Sequence, residues 1–400
     1  MNSKRRQDIC ASRSDASISS RPARTPLQAA TVYHCDSPEH ADSLLGGKVE
    51  GYAYRRMGHP NADILAEKCR QLHGADQACM VGSGQSAVAT VLLSQLNAGD
   101  HVLLSSRLYG GTSVLVNDAA RFGIESSEFD CCDLTTATKS FQPNTRLVVA
   151  ETISNPTLRV ADLEALAKLT HEQSAMLMVD NTFATPILCR PLDWGADFVM
   201  ESMTKFMNGH GDAMLGVICG KDSCWDSIPS TISKWGLAAS AFDCWMGERG
   251  LETLFVRMQT AAKTCAAVFE RLSGENWPSD SGIERIDFPG APDHPDYPIA
   301  AKQFTEANGE PLFGNLLTLH LRGGESEANR FIERIQTSIP YCPSLGDTFT
   351  TLSHPASSSH RSMAEPELNK LGISSGTVRV SIGLESPESI ANAIIQATRS

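Results

Sequence analysis

The chain has 400 residues, of which 41% are hydrophobic and 20% charged, and it carries a formal net charge of −12. That length supports a large core and more than one domain, while the acidic balance excludes nucleic acid as a partner. No apolar stretch approaches the roughly 18 residues that would span a bilayer, so no membrane partner is expected.

The first 30 residues hold Lys4, Arg5, Arg6, Arg13, Arg21 and Arg24 among many serines. Asp8 and Asp15 break the acid-poor pattern of a transit peptide, and the apolar centre of a secretory signal is missing. This stretch reads as a disordered or partner-draped arm, and the protein as cytoplasmic. The 12 cysteines include no C-x-x-C pair and no cluster with histidine at zinc spacing, which predicts reduced thiols. His171-Glu172 opens like a zincin helix, but Ala175 stands where the second histidine is needed, so no metal site is expected.

From Asp63 to His73 apolar residues recur at helical spacing and stop at Gly74. Ala78 to Val81 then reads as a strand, Gly82-Ser83-Gly84 as a turn, and a second helix runs through Leu96. Strand-like runs follow at 101–105, 146–151, 175–180, 198–202 and 215–219, most of them alternating with helices such as Asp162 to His171. This alternation predicts an α/β fold with a mostly parallel sheet between helices, its strand C-termini converging on one crevice.

After Leu237 the pattern changes. A long helix is expected around Glu248 to Leu272, then a Pro- and Asp-rich surface loop from Asp287 to Pro298. Leu317 to Arg322 and Val378 to Ile382 alternate as strands of a sheet with one covered face, which turns Arg379 away from the packed side. Ser386-Pro387 opens a closing helix that carries Ile390 and Ile394.

Glu151, Asp180 and Lys205 all fall at or just after strand ends. Lys205 in Ser202-Met203-Thr204-Lys205 and Asp180 in Val179-Asp180-Asn181-Thr182 match the needs of pyridoxal phosphate. That group requires an amine to make a Schiff base with its aldehyde and an acid to hold a proton on its pyridine nitrogen. A lysine in such a pocket loses solvation and meets other cations, which favours the neutral nucleophile.

Gly82-Ser83-Gly84-Gln85-Ser86-Ala87 lies between a strand and a helix, where N–H groups and the helix dipole suit a phosphate. It also matches the dinucleotide pattern G-x-G-x-x-A, which needs an acid at the end of the next strand. Asp100 precedes that strand, which ends in Ser105-Ser106-Arg107, and the nicotinamide reading fails there. Tyr109, followed by Gly110-Gly111, offers an aromatic face to a flat ring. Tyr54 and Arg56 lie in an irregular basic and aromatic segment that could present a guanidinium fork to a phosphate.

With these motifs in this order, the chain from about Tyr52 to Leu384 resembles the fold-type I pyridoxal-phosphate enzymes of cysteine and methionine metabolism. These include cystathionine γ-synthase, cystathionine γ- and β-lyases, methionine γ-lyase and O-acetylhomoserine sulfhydrylase. The resemblance implies a large cofactor-binding domain over 58–245, a smaller C-terminal α+β domain over 246–400, and an arm over 1–57 that serves a neighbouring subunit. It implies that Lys205 carries the cofactor and shuttles protons, and that Asp180 pairs with the ring nitrogen. Tyr109 would stack on the ring and assist proton transfer or leaving-group departure. The amides of Gly84 and Gln85 and the hydroxyls of Ser202 and Thr204 would hold the phosphate. Tyr54 and Arg56 would reach that phosphate from a neighbouring subunit, in a homotetramer built from active dimers. Arg379, Ser344 and Asn155 would hold the carboxylate of a small amino-acid substrate.

The departures bear on substrate. Two glutamates that face the distal end of the substrate in cystathionine γ-lyases correspond to Ala53 and Phe349, and Gly111 stands where methionine γ-lyases carry a cysteine. A distal ammonium would lose about 1–3 kcal/mol for each missing charged hydrogen bond. The implied reaction is γ-elimination from methionine or cystathionine to 2-oxobutanoate, ammonia and a thiol. γ-Replacement on an O-acyl homoserine would use the same residues. Lys205, Tyr109 and Arg379 together argue against a non-catalytic paralogue.

Overall fold

The structure, a computed structural model, describes residues 22–274, 282–304, 310–361 and 363–398; the basic run before Arg21 lies outside them. Its larger sheet has strands β1 (Gln77–Val81), β2 (His101–Ser105), β3 (Glu125–Phe129), β4 (Thr145–Glu151), β5 (Met176–Asp180), β6 (Phe198–Glu201) and β7 (Gly216–Gly220). The order is β1-β7-β6-β5-β4-β2-β3, with β2 to β6 mutually parallel and β7 antiparallel to both its neighbours.

Neighbouring residues of the central strands enter opposite layers, as the two-residue period requires. Leu103, Val148 and Leu177 pack in one core, and Leu104, Val149 and Met178 in the other. Both faces are therefore covered, and the register Glu151 to Asp180 to Met200 brings the ends of β4, β5 and β6 level.

Three helices bring side chains to that edge. Helix α1 (Pro60–His73) starts at Pro60, where His59 Nδ1 accepts the Ala62 N–H at 3.2 Å, and it stops at left-handed Gly74. Helix α2 (Gly84–Gln95) begins directly after β1, with the Ser83 hydroxyl accepting the Ser86 N–H at 3.1 Å. Helix α3 (Gly110–Asp118) follows β2. None of the described helices is long and apolar enough to cross a membrane.

The smaller sheet is antiparallel, in the order β10-β11-β9-β8, built from β8 (Ile283–Asp287), β9 (Leu316–Leu321), β10 (Thr351–Ser353) and β11 (Thr377–Ser381). Three expectations for this half need correction. The long helix is two: α4 (Ala241–Leu251) and α5 (Leu254–Ser273). The break follows Gly250, whose carbonyl accepts the Arg257 guanidinium at 3.0 Å.

The Pro- and Asp-rich segment is not a surface loop. Phe288 and Ala291 are buried, and buried Asp296 accepts two bonds from Arg159, at 2.6 and 2.9 Å. Nor has the small sheet one covered face. Leu319 and Val380 pack on α5 and the closing helix α6 (Pro387–Thr398), while Thr318 and Arg379 on the other side are equally buried against the large sheet's loops.

Candidate active site

The strand ends, the N-termini of α2 and α3, and β11 enclose a cavity of about 540 Å³. Gly84, Gln85, Tyr109, Asn155, Asp180, Ser202, Thr204, Lys205, Ser344 and Arg379 all line it, so ten of the twelve expected residues meet in one place. Tyr54 and Arg56 do not line it. Arg56 donates to the Ser233 carbonyl at 2.7 Å and lies 5.4 Å above the Tyr54 ring. Ala53 and Phe349 are also outside the cavity wall.

Asp180 ends β5 with its carboxylate accepting the Thr182 N–H at 2.9 Å. Burial pushes its pKa up to about 6 against the pull of that bond, and the charge of Glu201 adds to the rise. Lys205 follows β6 in a turn, and its Nζ donates to Ser344 Oγ at 2.6 Å. Burial first, then the Arg379 charge, lower its pKa toward the neutral amine.

At the start of α2, Ser83 occupies the Ser86 N–H, which leaves the first-turn groups of Gly84 and Gln85 at the cavity wall. A Cβ on Gly84 would lie 2.9 Å from Ser202 Cβ, so the helix N-terminus and the hydroxyl of the Lys205 turn form one cradle. Thr204 Oγ1 accepts the Leu215 N–H at 3.0 Å. A buried acid, a desolvated lysine and a helix N-terminus flanked by hydroxyls are the donor set that a pyridine ring with an aldehyde and a phosphate requires.

Tyr109 stands at the mouth of the cavity, 42% exposed. A Cβ on Gly111 would lie 2.5 Å from its ring and 2.8 Å from the Gln85 amide, so a larger residue there would require the Tyr109 and Gln85 side chains to move. Glu151, to which the sequence assigned no role, accepts the backbone N–H of Tyr109 at 2.6 Å and of Asn155 at 3.2 Å. Burial and then the charge of Asp180 raise its pKa well above the usual carboxylate range.

Arg379 is 4% exposed and has no carboxylate in ion-pair range among the described residues. Its guanidinium donates to Asn155 Oδ1 at 2.7 Å and to the Ser344 carbonyl at 3.3 Å, while its Nε has no partner. Burial lowers its pKa to about 10. A buried cation with an idle donor beside Lys205 is a receptor for an anion.

The loop 357–361 closes the cavity from the small sheet's side. It holds His360, buried and bonded through Nδ1 to Ser359 Oγ at 2.9 Å, and Arg361, which lines the cavity. Neither residue stands out in the sequence, because a histidine and an arginine among serines read as solvated loop.

One group of possible metal ligands, Asp130, Cys131 and Cys132, appears among the described residues. Asp130 is engaged there by two of the Arg107 nitrogens, at 2.9 and 2.8 Å, so a cation already holds its carboxylate. His171, the zincin-like residue, bonds to Asp197 at 2.9 Å.

The family model for Cys/Met metabolism PLP-dependent enzymes matches residues 9–399. The chain is 34% identical over 373 residues to an L-methionine γ-lyase of Porphyromonas gingivalis, covering 92% of this chain and 90% of that one. It is 35% identical over 346 residues to an O-succinylhomoserine sulfhydrylase of Pseudomonas aeruginosa, covering 86% and 83%. A cystathionine γ-synthase from Xanthomonas oryzae pv. oryzae shares the fold with a TM-score of 0.85 at 30% identity, over 94% of this chain and 93% of that one. A Campylobacter jejuni protein with a TM-score of 0.88 and 25% identity, over 94% and 95% of the two chains, was crystallised with pyridoxyl-lysine monophosphate.

Proposed function

Because the chain belongs to the PLP-dependent enzymes of cysteine and methionine metabolism, we propose that it cleaves the carbon–sulfur bond at the γ carbon of methionine or cystathionine. With water the products are 2-oxobutanoate, ammonia and a thiol. The observation that carries this reading is the uncompensated Arg379 guanidinium, joined through Ser344 to the Lys205 amine. An amino acid whose carboxylate sits on Arg379 and Asn155 presents its α carbon beside Lys205 Nζ.

When bound, pyridoxal phosphate supplies a sink for the electrons left at the α carbon. Lys205 is the covalent anchor and, as a neutral amine, takes the α proton and delivers protons along the substrate. Asp180 would keep the ring nitrogen protonated. Gly84, Gln85, Ser202 and Thr204 would hold the phosphate, and Tyr54 and Arg56 would complete the phosphate site of a neighbouring copy within a homotetramer of active dimers. Tyr109, whose backbone N–H is held by Glu151, would stack on the ring and protonate the departing thiolate.

A second reading, γ-replacement on an O-acyl homoserine, is favoured by Arg361. This residue lines the cavity, and its guanidinium has no hydrogen bond or ion pair among the described residues, which suits a carboxylate on the leaving group such as a succinyl ester.

The test is incubation with methionine, cystathionine, O-acetylhomoserine and O-succinylhomoserine, each with and without a thiol. Release of 2-oxobutanoate from a thioether without added thiol supports γ-elimination. Thiol-dependent loss of an ester, with no oxo acid from the thioethers, replaces it with the second reading. An Arg361→Gln variant is expected to raise KM about tenfold for the substrates with a distal carboxylate and leave methionine unchanged, the weight of one charged hydrogen bond.

A further inference from the structure

Behind the cavity, on the opposite face of the large sheet, a second set of polar side chains is shut away from solvent. Strand alternation points Asp180 toward the cavity and Asn181 away from it, and separates Ser202 from Glu201 in the same way. Thr152 and Asn181, the residues just after β4 and β5, and Glu201, the last of β6, thus lie at three adjacent strand ends on the far face, each next in sequence to a cavity residue: Glu151, Asp180 or Ser202.

They are joined into one chain. Thr152 Oγ1 donates to Asn181 Oδ1 at 2.7 Å, and Asn181 Nδ2 donates to Glu201 Oε1 at 3.0 Å. His73 Nε2, from the last turn of α1, lies 3.2 Å from the same Glu201 oxygen. All four residues have 0% exposure. Backbone bonds run beside the side-chain path, from Thr152 N–H to the Asp180 carbonyl at 3.0 Å and from Asn181 N–H to the Met200 carbonyl at 2.9 Å.

Stability does not account for this arrangement. Replacing a buried ion pair by apolar side chains is commonly neutral or stabilising. Here Glu201 Oε2 and both ring nitrogens of His73 have no hydrogen-bond partner, His73 Nε2 being within ion-pair distance of Glu201 only, a penalty that an apolar core would avoid. The path ends, however, one residue from the acid that faces the cofactor's ring nitrogen.

We propose that the His73–Glu201 pair is a positioning device for Asp180, locking the ends of β4, β5 and β6 behind the carboxylate that would keep the ring nitrogen protonated. Glu201 also acts on Asp180 directly, adding to the rise that burial gives its pKa, while burial raises the pKa of Glu201 itself. A carboxylate held in place for the ring nitrogen favours retention of the cofactor. The inference rests on the family's cofactor and not on the choice of substrate.

The test is cofactor binding to the full-length apoenzyme, followed by fluorescence and by the visible absorption of the bound cofactor, with no substrate present. Glu201→Gln is expected to weaken pyridoxal phosphate about tenfold, the weight of one charged interaction, and to alter the visible band. The reversed pair, His73→Glu with Glu201→His, is expected to recover most of the affinity. Apoenzyme Tm serves as the structural control.

Wild-type affinity and spectrum in a folded Glu201→Gln protein would overturn the proposal. So would a loss that the reversed pair fails to recover and that follows Tm. Should Glu201→Gln not fold, Thr152→Val, which cuts the far end of the path without changing its shape, decides: weakened cofactor with unchanged Tm supports the proposal, and unchanged affinity overturns it. Failure of the substrate assignment would leave all of these binding results as they are.

Discussion

His360 has a pKa lowered to about 4, by burial first and then by the charge of Arg379. In the unfolded chain an ordinary histidine titrates near 6.5. Between these values the unfolded chain binds a proton that the folded chain refuses, so this contribution is complete above about pH 6.5 and is lost as pH falls toward 4. Its size is about 3 kcal/mol on the scale of 1.36 kcal/mol per pKa unit. Asp180 works in the opposite sense in the cofactor-free chain, because its raised pKa of about 6 lets the folded state take up a proton as pH falls. Comparison with His360→Gln removes the Asp180 part. The Tm advantage of the wild-type apoenzyme over this variant is expected to shrink from pH 7 to pH 4.5, and a constant difference would refute the argument. Lys205 and Asp180 were readable in the sequence because each ends an apolar run and carries a distinctive chemistry. His360 was not, since the Arg379 charge and the Asn155 backbone that act on it lie on other elements, and nothing in Ser-Ser-Ser-His-Arg records that.

At the scale of elements, the junction of β1 and α2 shows how a local sequence becomes a binding surface. Gly84 lies inside the first turn of a helix, where alanine would ordinarily be better by about 1 kcal/mol. Its Cβ would meet Ser202 Cβ at 2.9 Å, so Gly84→Ala must push the helix N-terminus off the Lys205 turn. The expected outcome is apoenzyme stability within about 1 kcal/mol of wild type, since propensity and clash oppose one another. Pyridoxal phosphate affinity should nonetheless fall about tenfold, the weight of a lost charge-assisted bond to the phosphate. A fluorescence titration of the apoenzyme checks it, and unchanged affinity would mean that the helix terminus does not hold the phosphate. The buried strands β2, β4, β5 and β6 were legible to within one residue or so because continuous apolar runs are what a sheet covered on both faces demands. β3, with the sequence Glu-Ser-Ser-Glu-Phe, was not, being an edge strand with exposed positions and no such requirement. The two helices α4 and α5 read as one because a helical period continues across a break made by Arg257 and the carbonyl of Gly250.

At the scale of the whole molecule, the proposed role of the arm is to complete the site of a neighbouring copy. Tyr54 and Arg56 carry the segment's chemistry yet stand away from their own cavity, with Arg56 on the Ser233 carbonyl. If they serve a neighbouring copy, two inactive variants complement each other. Lys205→Ala and Arg56→Ala, each inactive or nearly so alone, are expected to regain about a quarter of wild-type activity when mixed through a dissociated state, because half of the subunit pairs are mixed and each mixed pair has one intact site. No gain after demonstrated exchange would show that the arm acts within its own subunit. The linear chain by itself determined the alternating α/β plan, the lysine and acid at successive strand ends, and the phosphate-type turn after β1, because each depends on periodicity and on residues near one another in sequence. Only the tertiary structure decided that the small sheet is covered on both faces, that Arg379 is buried without an acid, and that His73 reaches Glu201 behind the site. Those features arise where separate elements press together and exclude water, and the local sequence holds no trace of what will lie across the contact.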